Sequence, residues 1–329
     1  MRLRELFIEI LREKGIKGLG VNFKVSSSDP IGDIALLVAR GALNIGKCSN
    51  FKDIIPITEK TADACVGRFE DPIISKRDIE EKDPFPFVAI DCRNYDFHRE
   101  KEKKSLRLQI EQTLGVVRKY MWDEKLIITG QNFGVGRFYE RLEDFLNEKN
   151  IKKVILLDPY GEEEFRKEKA NCYVFGGIVD RGQERAGATS EIGKEIEKAG
   201  FDVESRRILL RGDTVGVPDR INHIVEIVLK VVLDGKEIEE AIREVQPPVV
   251  ARWRLRKELS KLSFRVMVGD KVYRAVKKSD FNNFSWLNLK EADFYKVASE
   301  MKFFVLDEIP MKWTEERRCY QVSLNQVLF

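Results

Sequence analysis

Between residues 85 and 253 the chain alternates short apolar runs with longer stretches in which apolar residues recur every three or four positions. The runs "FVAIDC", "LIITG", "KVILLD", "NCYVFGGIVD" and "ESRRILL" are short and bounded by turn formers, which predicts buried strands. The other spacing predicts helices over "SLRLQIEQTLGVVRKYM", "FYERLEDFLNEKN", "GEEEFRKEK", "SEIGKEIEKAG" and "INHIVEIVLKVVLDG". Strand and helix alternating at these lengths is the pattern of a parallel sheet covered on both faces, so the expected fold class is α/β.

The pattern changes on either side. Residues 1–84 open with an amphipathic helix, "RELFIEILREKG", closed by Gly15, and continue in shorter segments rich in Ser, Gly and Pro. Pro84 and Pro86 in "EEKDPFPF" forbid continued helix and mark a boundary. Beyond "QPPVV" the alternation in "FRVMVGDKVYRAV" predicts a small β-rich element. The expected organisation is an N-terminal domain over 1–84, a central α/β domain over 85–253 and a C-terminal domain over 254–329.

Composition narrows the function classes. Of 329 residues 43% are hydrophobic and 34% charged, enough for more than one domain with a real core. No run approaches the about 18 apolar residues of a membrane span. Charges interrupt the apolar positions of "MRLRELFIEILREKG", so no signal peptide is expected and the location expected is cytoplasmic. Five cysteines without CxxC spacing argue against a disulfide framework and a structural zinc site, and predict free thiols. With two histidines, His98 in "DFHREKEKK" and His223 opening an apolar helix, neither a metal site nor a Ser-His-Asp arrangement is expected. The net charge is only +3, but its distribution is uneven. The first 24 residues are basic, and "ARWRLRKELSKLSFR" sets six Lys or Arg around Trp253 and Phe264. Such a run either holds phosphates while a ring stacks on a base or is simply a solvated helix face.

Ligands of parallel sheets bind beyond the carboxyl ends of the strands. Three loops qualify here. In "GQNFGVGRFYERL", Gly130, Gly134 and Gly136 either cradle a phosphate at a helix start or form a tight turn, and their spacing matches neither GxGxxG nor a GK[ST] loop. The other two, "CYVFGGIVDRG" and "RILLRGDTVGVPDRINH", each put glycines and an Asp just past a strand. Asp180 of the first is either a turn-capping residue or a functional carboxylate.

Four segments in order resemble the tRNA purine-9 N1-methyltransferases, a branch of the SPOUT class. They are Asp91, Ser105, Leu106 and Gln109 in "IDCRNYDFHREKEKKSLRLQ", then "YVFGGIVDRG", then "RINHIVEIVLKVV" with Asn222 and His223, then "VQPPVVARWR". The resemblance covers residues 87–254, and archaeal members of the family carry accessory domains on both sides.

The resemblance implies a fold that periodicity alone would read as Rossmann-like: a parallel sheet with a C-terminal trefoil knot, flanked by smaller N-terminal and C-terminal accessory domains. It implies S-adenosylmethionine as cofactor, held by Phe175, Gly176, Gly177, Leu209, Leu210, Arg211, Gly216, Val217, Ile221, Asn222 and Ile224. It implies tRNA as partner, bound by the N-terminal domain and a basic surface to which Arg118, Arg181, Arg252, Arg254 and Arg256 contribute, and a monomer needing no metal and no membrane. Asp180 takes the place of the family's proposed base and Gln109 that of an amide in the target pocket. Two other readings remain at this point: a non-catalytic RNA-binding protein on the same fold, and a nicotinamide-dependent dehydrogenase using the "GVG" loop. Whether the target is guanine, adenine or both is not legible.

Overall fold

The computed structural model describes residues 1–24, 26–179, 187–208 and 220–322. These form two compact units, one reaching Ile208 and including Arg220–Lys236, the other starting at Glu237.

The first unit begins with α1 (Leu3–Glu13), whose buried residues Leu3, Leu6, Phe7, Ile10 and Leu11 form a single apolar stripe at helical spacing. Gly15, at φ 72°, closes it in the left-handed region. There follow β1 (Gly18–Val21), α2 (Pro30–Ala39), β2 (Asn44–Gly46), β3 (Asp53–Pro56), β4 (Ala64–Gly67) and α3 (Lys76–Glu81). The four strands make one sheet in the order β2-β4-β1-β3. Here the expectation of free thiols fails, because Cys48 and Cys65 form a disulfide. Parity misled: five cysteines divide into one pair and three buried thiols, Cys92, Cys172 and Cys319. The pair fits because Gly20 has no side chain. A Cβ there would lie 2.8 Å from Cys65 Sγ and 2.9 Å from Cys48 Sγ.

The same unit continues with β5 (Phe87–Asp91), α4 (Glu100–Arg118), β6 (Leu126–Thr129), β7 (Arg137–Tyr139), α5 (Leu142–Glu148), β8 (Lys153–Leu157), β9 (Glu163–Glu164), β10 (Cys172–Gly176), α6 (Ala188–Lys198), β11 (Asp202–Arg207) and α7 (Ile221–Leu233). Seven strands form a wholly parallel sheet in the order β7-β6-β5-β10-β8-β11-β9. Two expectations change. "FYERLEDFLNEKN" starts as β7 before it turns helical, and "GEEEFRKEK" forms the edge strand β9 against Arg206 and Arg207 rather than a helix. The latter stretch has only Phe165 to bury, too little for an amphipathic stripe. Ala89, Ile127, Leu156 and Val174 face one side and pack with Leu142, Phe145 and Leu146 of α5 and Ile192 and Ile196 of α6. Their neighbours Val88, Ile90, Ile128, Tyr173 and Phe175 are equally buried and alternate to the opposite side, where α4 and α7 pair. Although β8 precedes β10 in the chain, β10 enters between β5 and β8, so the strand order turns at the carboxyl ends of β5 and β10.

The second unit contains α8 (Ile238–Val245), α9 (Pro248–Leu262), β12 (Phe264–Val268), β13 (Lys271–Lys277), α10 (Glu291–Glu300), β14 (Phe303–Leu306), β15 (Trp313–Thr314) and β16 (Cys319–Gln321). The β-rich element expected here is present: β12 and β13 form a hairpin around Gly269, in a five-stranded sheet ordered β14-β13-β12-β16-β15. The boundary expected between 253 and 254 falls inside α9, whose Ala251, Leu255 and Leu259 pack on Phe294, Val297 and Ala298 of the same unit. Among the described residues no helix is long and apolar enough to cross a membrane.

The disulfide closes a loop with a sequence separation of 17. Replacing Cys48 and Cys65 by Ala is expected to lower unfolding free energy by about 3 kcal/mol. Thermal melts should show wild type losing stability in reductant and the double variant not responding to it. Equal melting of wild type with and without reductant would contradict the pairing.

Candidate active site at the strand ends

Gly176 pairs with Asp91, and the next residue, Gly177, donates its N–H to Asp91 O at 2.8 Å. A Cβ on Gly177 would press on Cys92 Sγ and come within 2.9 Å of Asp91 O; one on Gly176 would meet Thr189 Oγ1 at 2.8 Å. Both glycines are therefore required by the packing of the chain on itself. Close approach of a cofactor is a second demand on the same two residues.

Asp91 is buried and committed to Arg93. It accepts from Arg93 N at 3.0 Å and from the guanidinium Nε at 3.0 Å and Nη2 at 2.6 Å. Arg93 also reaches Glu143 at 3.2 Å and Glu195. Burial opposes the charge on Arg93, but the hydrogen bonds and charges of these three carboxylates raise its pKa above the ordinary value. Nearby, Asp91, Arg93, Thr129, Glu140, Glu143 and Glu195 line a cavity of about 490 Å³. Its other walls come from α5 and α6.

The site residues predicted from the sequence gather instead on the α4 and α7 side. Gln109 on α4 is buried, and its Oε1 accepts from the backbone N–H of Ile221 at 2.9 Å, while its Nε2 donates to Ser105 Oγ at 3.2 Å. The side chain thus satisfies one of the unpaired N–H groups at the start of α7. Ile221 and Asn222 are buried in that first turn and Ile224 is half-buried. Asn222 Oδ1 is a buried acceptor with no hydrogen-bond donor among the described residues. Native structures leave few such atoms unsatisfied. An adenosyl ligand carries amino and hydroxyl donors, so the atom fits that cofactor. Phe175, the last buried residue of β10 before the glycines, completes the described part of the set. Asp180, Arg181, Leu209, Leu210, Arg211, Gly216 and Val217 lie outside the described residues.

One buried residue beside the candidate site escaped the sequence reading. His98 is buried just beyond β5, and its Nε2 accepts the backbone N–H of Val179 at 3.0 Å. Its Nδ1 lies 3.0 Å from Asn94 O and 3.1 Å from Tyr95 O. An accepting Nε2 and a donating Nδ1–H define the neutral tautomer. The histidine consequently pins the residue immediately before Asp180. The available signal was its place a few residues past a strand end; its charged neighbours "REKEKK" concealed the burial.

The basic residues are distributed differently from expectation. Arg118 pairs with Asp123 through two bonds of 2.7 and 2.6 Å. In the second unit Arg252 pairs with Asp293 at 3.0 Å and Arg256 with Glu300, tying α9 to α10. Arg254 is buried, its three guanidinium nitrogens have no acceptor among the described residues, and burial lowers its pKa. In the run "ARWRLRKELSKLSFR", packing takes up Arg254 and ion pairs take up Arg252 and Arg256, while Lys257 and Arg265 are exposed. The "GVG" loop is corrected as well. Gly130, Gly134 and Gly136 all have positive φ, from 66° to 78°, and the loop enters β7 rather than a helix N-terminus. That removes the phosphate cradle on which the dehydrogenase reading depended. Among the described residues, no group of three or more His, Cys, Asp or Glu is placed to hold a metal.

Comparisons with known proteins bear on the family of the chain. Residues 252–320 match the C domain of tRNA (guanine(9)-/adenine(9)-N1)-methyltransferase. The chain is 36% identical, over 93% of its length and 90% of the relative's, to the tRNA (guanine(9)-/adenine(9)-N1)-methyltransferase of Thermococcus kodakarensis. It is 34% identical to the tRNA (adenine(9)-N1)-methyltransferase of Sulfolobus acidocaldarius, over 49% of this chain and 55% of that one. Among solved structures, a dual-specific Trm10 from Thermococcus kodakaraensis aligns with a TM-score of 0.60 at 26% identity, covering 72% of this chain and 98% of that one. Trm10 of Sulfolobus acidocaldarius in complex with S-adenosylhomocysteine shares the fold, with a TM-score of 0.63 at 23% identity over 92% of this chain and 99% of that one. By identity along nearly its whole length, the chain belongs to the tRNA (guanine(9)-/adenine(9)-N1)-methyltransferase family.

Proposed function

We propose that the protein methylates N1 of the purine at position 9 of tRNA, with the cofactor held at the carboxyl ends of β10 and β11 and the start of α7. The family membership makes it an S-adenosylmethionine-dependent tRNA N1-methyltransferase, and the bond from Gln109 to Ile221 is the observation that carries the placement. That bond joins two segments 112 residues apart that the family resemblance had singled out together. Phe175, Gly176, Gly177, Ile221, Asn222 and Ile224 form the described wall of the cofactor site. Leu209, Leu210, Arg211, Gly216 and Val217 supply the rest, in a trefoil knot. Residues 1–84 and the second unit act as accessory domains, with tRNA held mainly by the former, and the enzyme works as a cytoplasmic monomer.

The bound cofactor supplies an electrophilic methyl group on a sulfonium. The chain's own task depends on the base. Guanine N1 carries a proton, so Asp180 takes that proton as the N1 electron pair forms the new bond to carbon. Adenine N1 already offers a lone pair, and here the protein contributes orientation and proximity. The base at position 9 leaves its stack to reach the site, at a cost of a few kcal/mol that phosphate contacts offset. His98 fixes the backbone at Val179, the residue before Asp180 in the chain.

Incubating unmodified tRNAs bearing G9 or A9 with the protein and S-adenosylmethionine should give 1-methylguanosine or 1-methyladenosine at position 9, identified by mass spectrometry after digestion. Absence of any methylated purine would refute the proposal. Asp180→Asn should slow the guanine reaction on the order of 10² to 10⁴-fold and the adenine reaction far less. Equal losses on both bases would exclude a role confined to the guanine proton.

His98→Phe removes the acceptor for a buried N–H and should cost about 1–3 kcal/mol of stability, with a fall in kcat at near-constant KM for tRNA. His98→Gln, whose amide oxygen can accept the same bond, should recover most of both. A Phe variant with wild-type kcat would contradict the positioning role.

A further inference from the structure

The tripeptide Asn-Phe-Lys occurs twice in the N-terminal sheet region, as Asn22-Phe23-Lys24 and Asn50-Phe51-Lys52. The fold sets the two side by side. The β1–β3 register ends with Val21 opposite Asp53, and the chains stay together beyond it. Lys52 N donates to Val21 O at 2.9 Å, and Asn22 Nδ2 donates to Asn50 O at 3.2 Å. Phe51 sits over Gly20, where a Cβ would lie 2.9 Å from the phenylalanine Cβ, and the Cys48–Cys65 disulfide anchors the same loop from below.

This platform is built rigidly and then left open. Phe23 is 44% exposed and Phe51 45%, well above what an apolar ring in a folded sheet ordinarily retains. Lys24, Lys47 and Lys52 are exposed and, among the described residues, make no ion pair. Other lysines of the N-terminal region are engaged: Lys17 pairs with Glu59, Lys76 with Glu124 and Lys82 with Glu13. Residues 22–24 and 47–52 contain no acidic side chain; the nearest along the chain, Asp53, turns its carboxylate to the N–H of Ile54.

We infer that the paired Asn-Phe-Lys segments form a docking surface for the tRNA substrate, the two phenylalanines stacking on an unpaired base and Lys24, Lys47 and Lys52 contacting backbone phosphates. The inference rests on the tRNA-methyltransferase reading and adds the residues that engage the substrate away from the reacting base. Aromatic faces beside unpaired cations suit nucleotides because every base offers a π-face and every phosphate a charge. The arginines of α9 cannot perform this task while packing and ion pairs occupy them. The free cations of the N-terminal sheet can.

The test is tRNA binding by filter retention at several salt concentrations, with wild type, Phe23→Leu/Phe51→Leu and Lys24→Gln/Lys47→Gln/Lys52→Gln. All five positions are exposed, so melting temperature and the stabilisation by S-adenosylhomocysteine should stay at wild-type values. The leucine pair keeps apolar bulk without a stacking face and should bind on the order of tenfold more weakly. The glutamine triple should bind more weakly at low salt, with a salt dependence shallower by about two to three in log–log slope. Wild-type affinity and slope in both variants, with wild type itself binding tightly, would overturn the surface and leave the methyltransferase reading intact. Failure of the wild type to bind tRNA at any salt would overturn both.

Discussion

The backbone of Gly177 has to lie against Asp91 and Cys92, and much of the central architecture follows from that contact. β10 reaches its place between β5 and β8 only if its carboxyl end can run along the end of β5 without a side chain in between. Once it does, the segment leaving β10 passes over the loop leaving β5, where His98 catches Val179. α4, which begins a few residues later, then carries Gln109 to the first turn of α7. Two side-chain hydrogen bonds thus hold the two chain segments that border the proposed cofactor site, and both depend on a sheet whose order turns at β5 and β10. Those two bonds join the "IDC…SLRLQ" segment to the "GGIVD" and "RINHIVE" segments, which gives a physical reason for their appearing together.

Much of this frame was legible in the sequence. Five of the predicted strands appear, as do the helices at α1, α4, α6 and α7, because their apolar residues are many and regularly spaced. The failures came where the apolar signal was thin. A single phenylalanine in "GEEEFRKEK" cannot direct a helix, and that stretch pairs at the sheet edge instead. "VVARWR" resembled a domain terminus, yet it lies inside a continuous helix whose Ala251 and Leu255 belong to the core of the second unit. Local pattern carries no information about such long-range partners. The disulfide was hidden for the same reason: only the fold shows that Gly20 leaves room for sulfur between two strands.

The site was legible by residue type but not by role. Gln109 and Asn222 were singled out, and the structure gives the first an anchoring bond and the second an unsatisfied acceptor. His98 was passed over because a histidine among lysines and glutamates reads as solvated. Charge misled in the opposite sense for the α9 arginines. Counting basic residues measures potential binding, whereas binding requires cations not already paired, and the partners Asp293 and Glu300 lie some forty residues further on. Exposed lysines without an ion pair stand near exposed rings on the N-terminal sheet, where composition gave only a basic sign, and Lys257 lies over the exposed Trp253 ring on α9.

The proposed place of the cofactor is the α4 and α7 side of the strand ends, and not the charged cavity beside α5 and α6. Thermal stabilisation by S-adenosylhomocysteine, compared across wild type, Asn222→Leu and Thr129→Val, tests it directly. Thr129 lines the charged cavity with a hydroxyl that has no partner among the described residues, so each substitution removes one such buried group from one of the two places. At a ligand concentration about 100 times the wild-type Kd, wild type and Thr129→Val should gain about 2.7 kcal/mol, and Asn222→Leu much less. Full stabilisation of Asn222→Leu together with its loss in Thr129→Val would place the ligand in the other cavity and contradict the account.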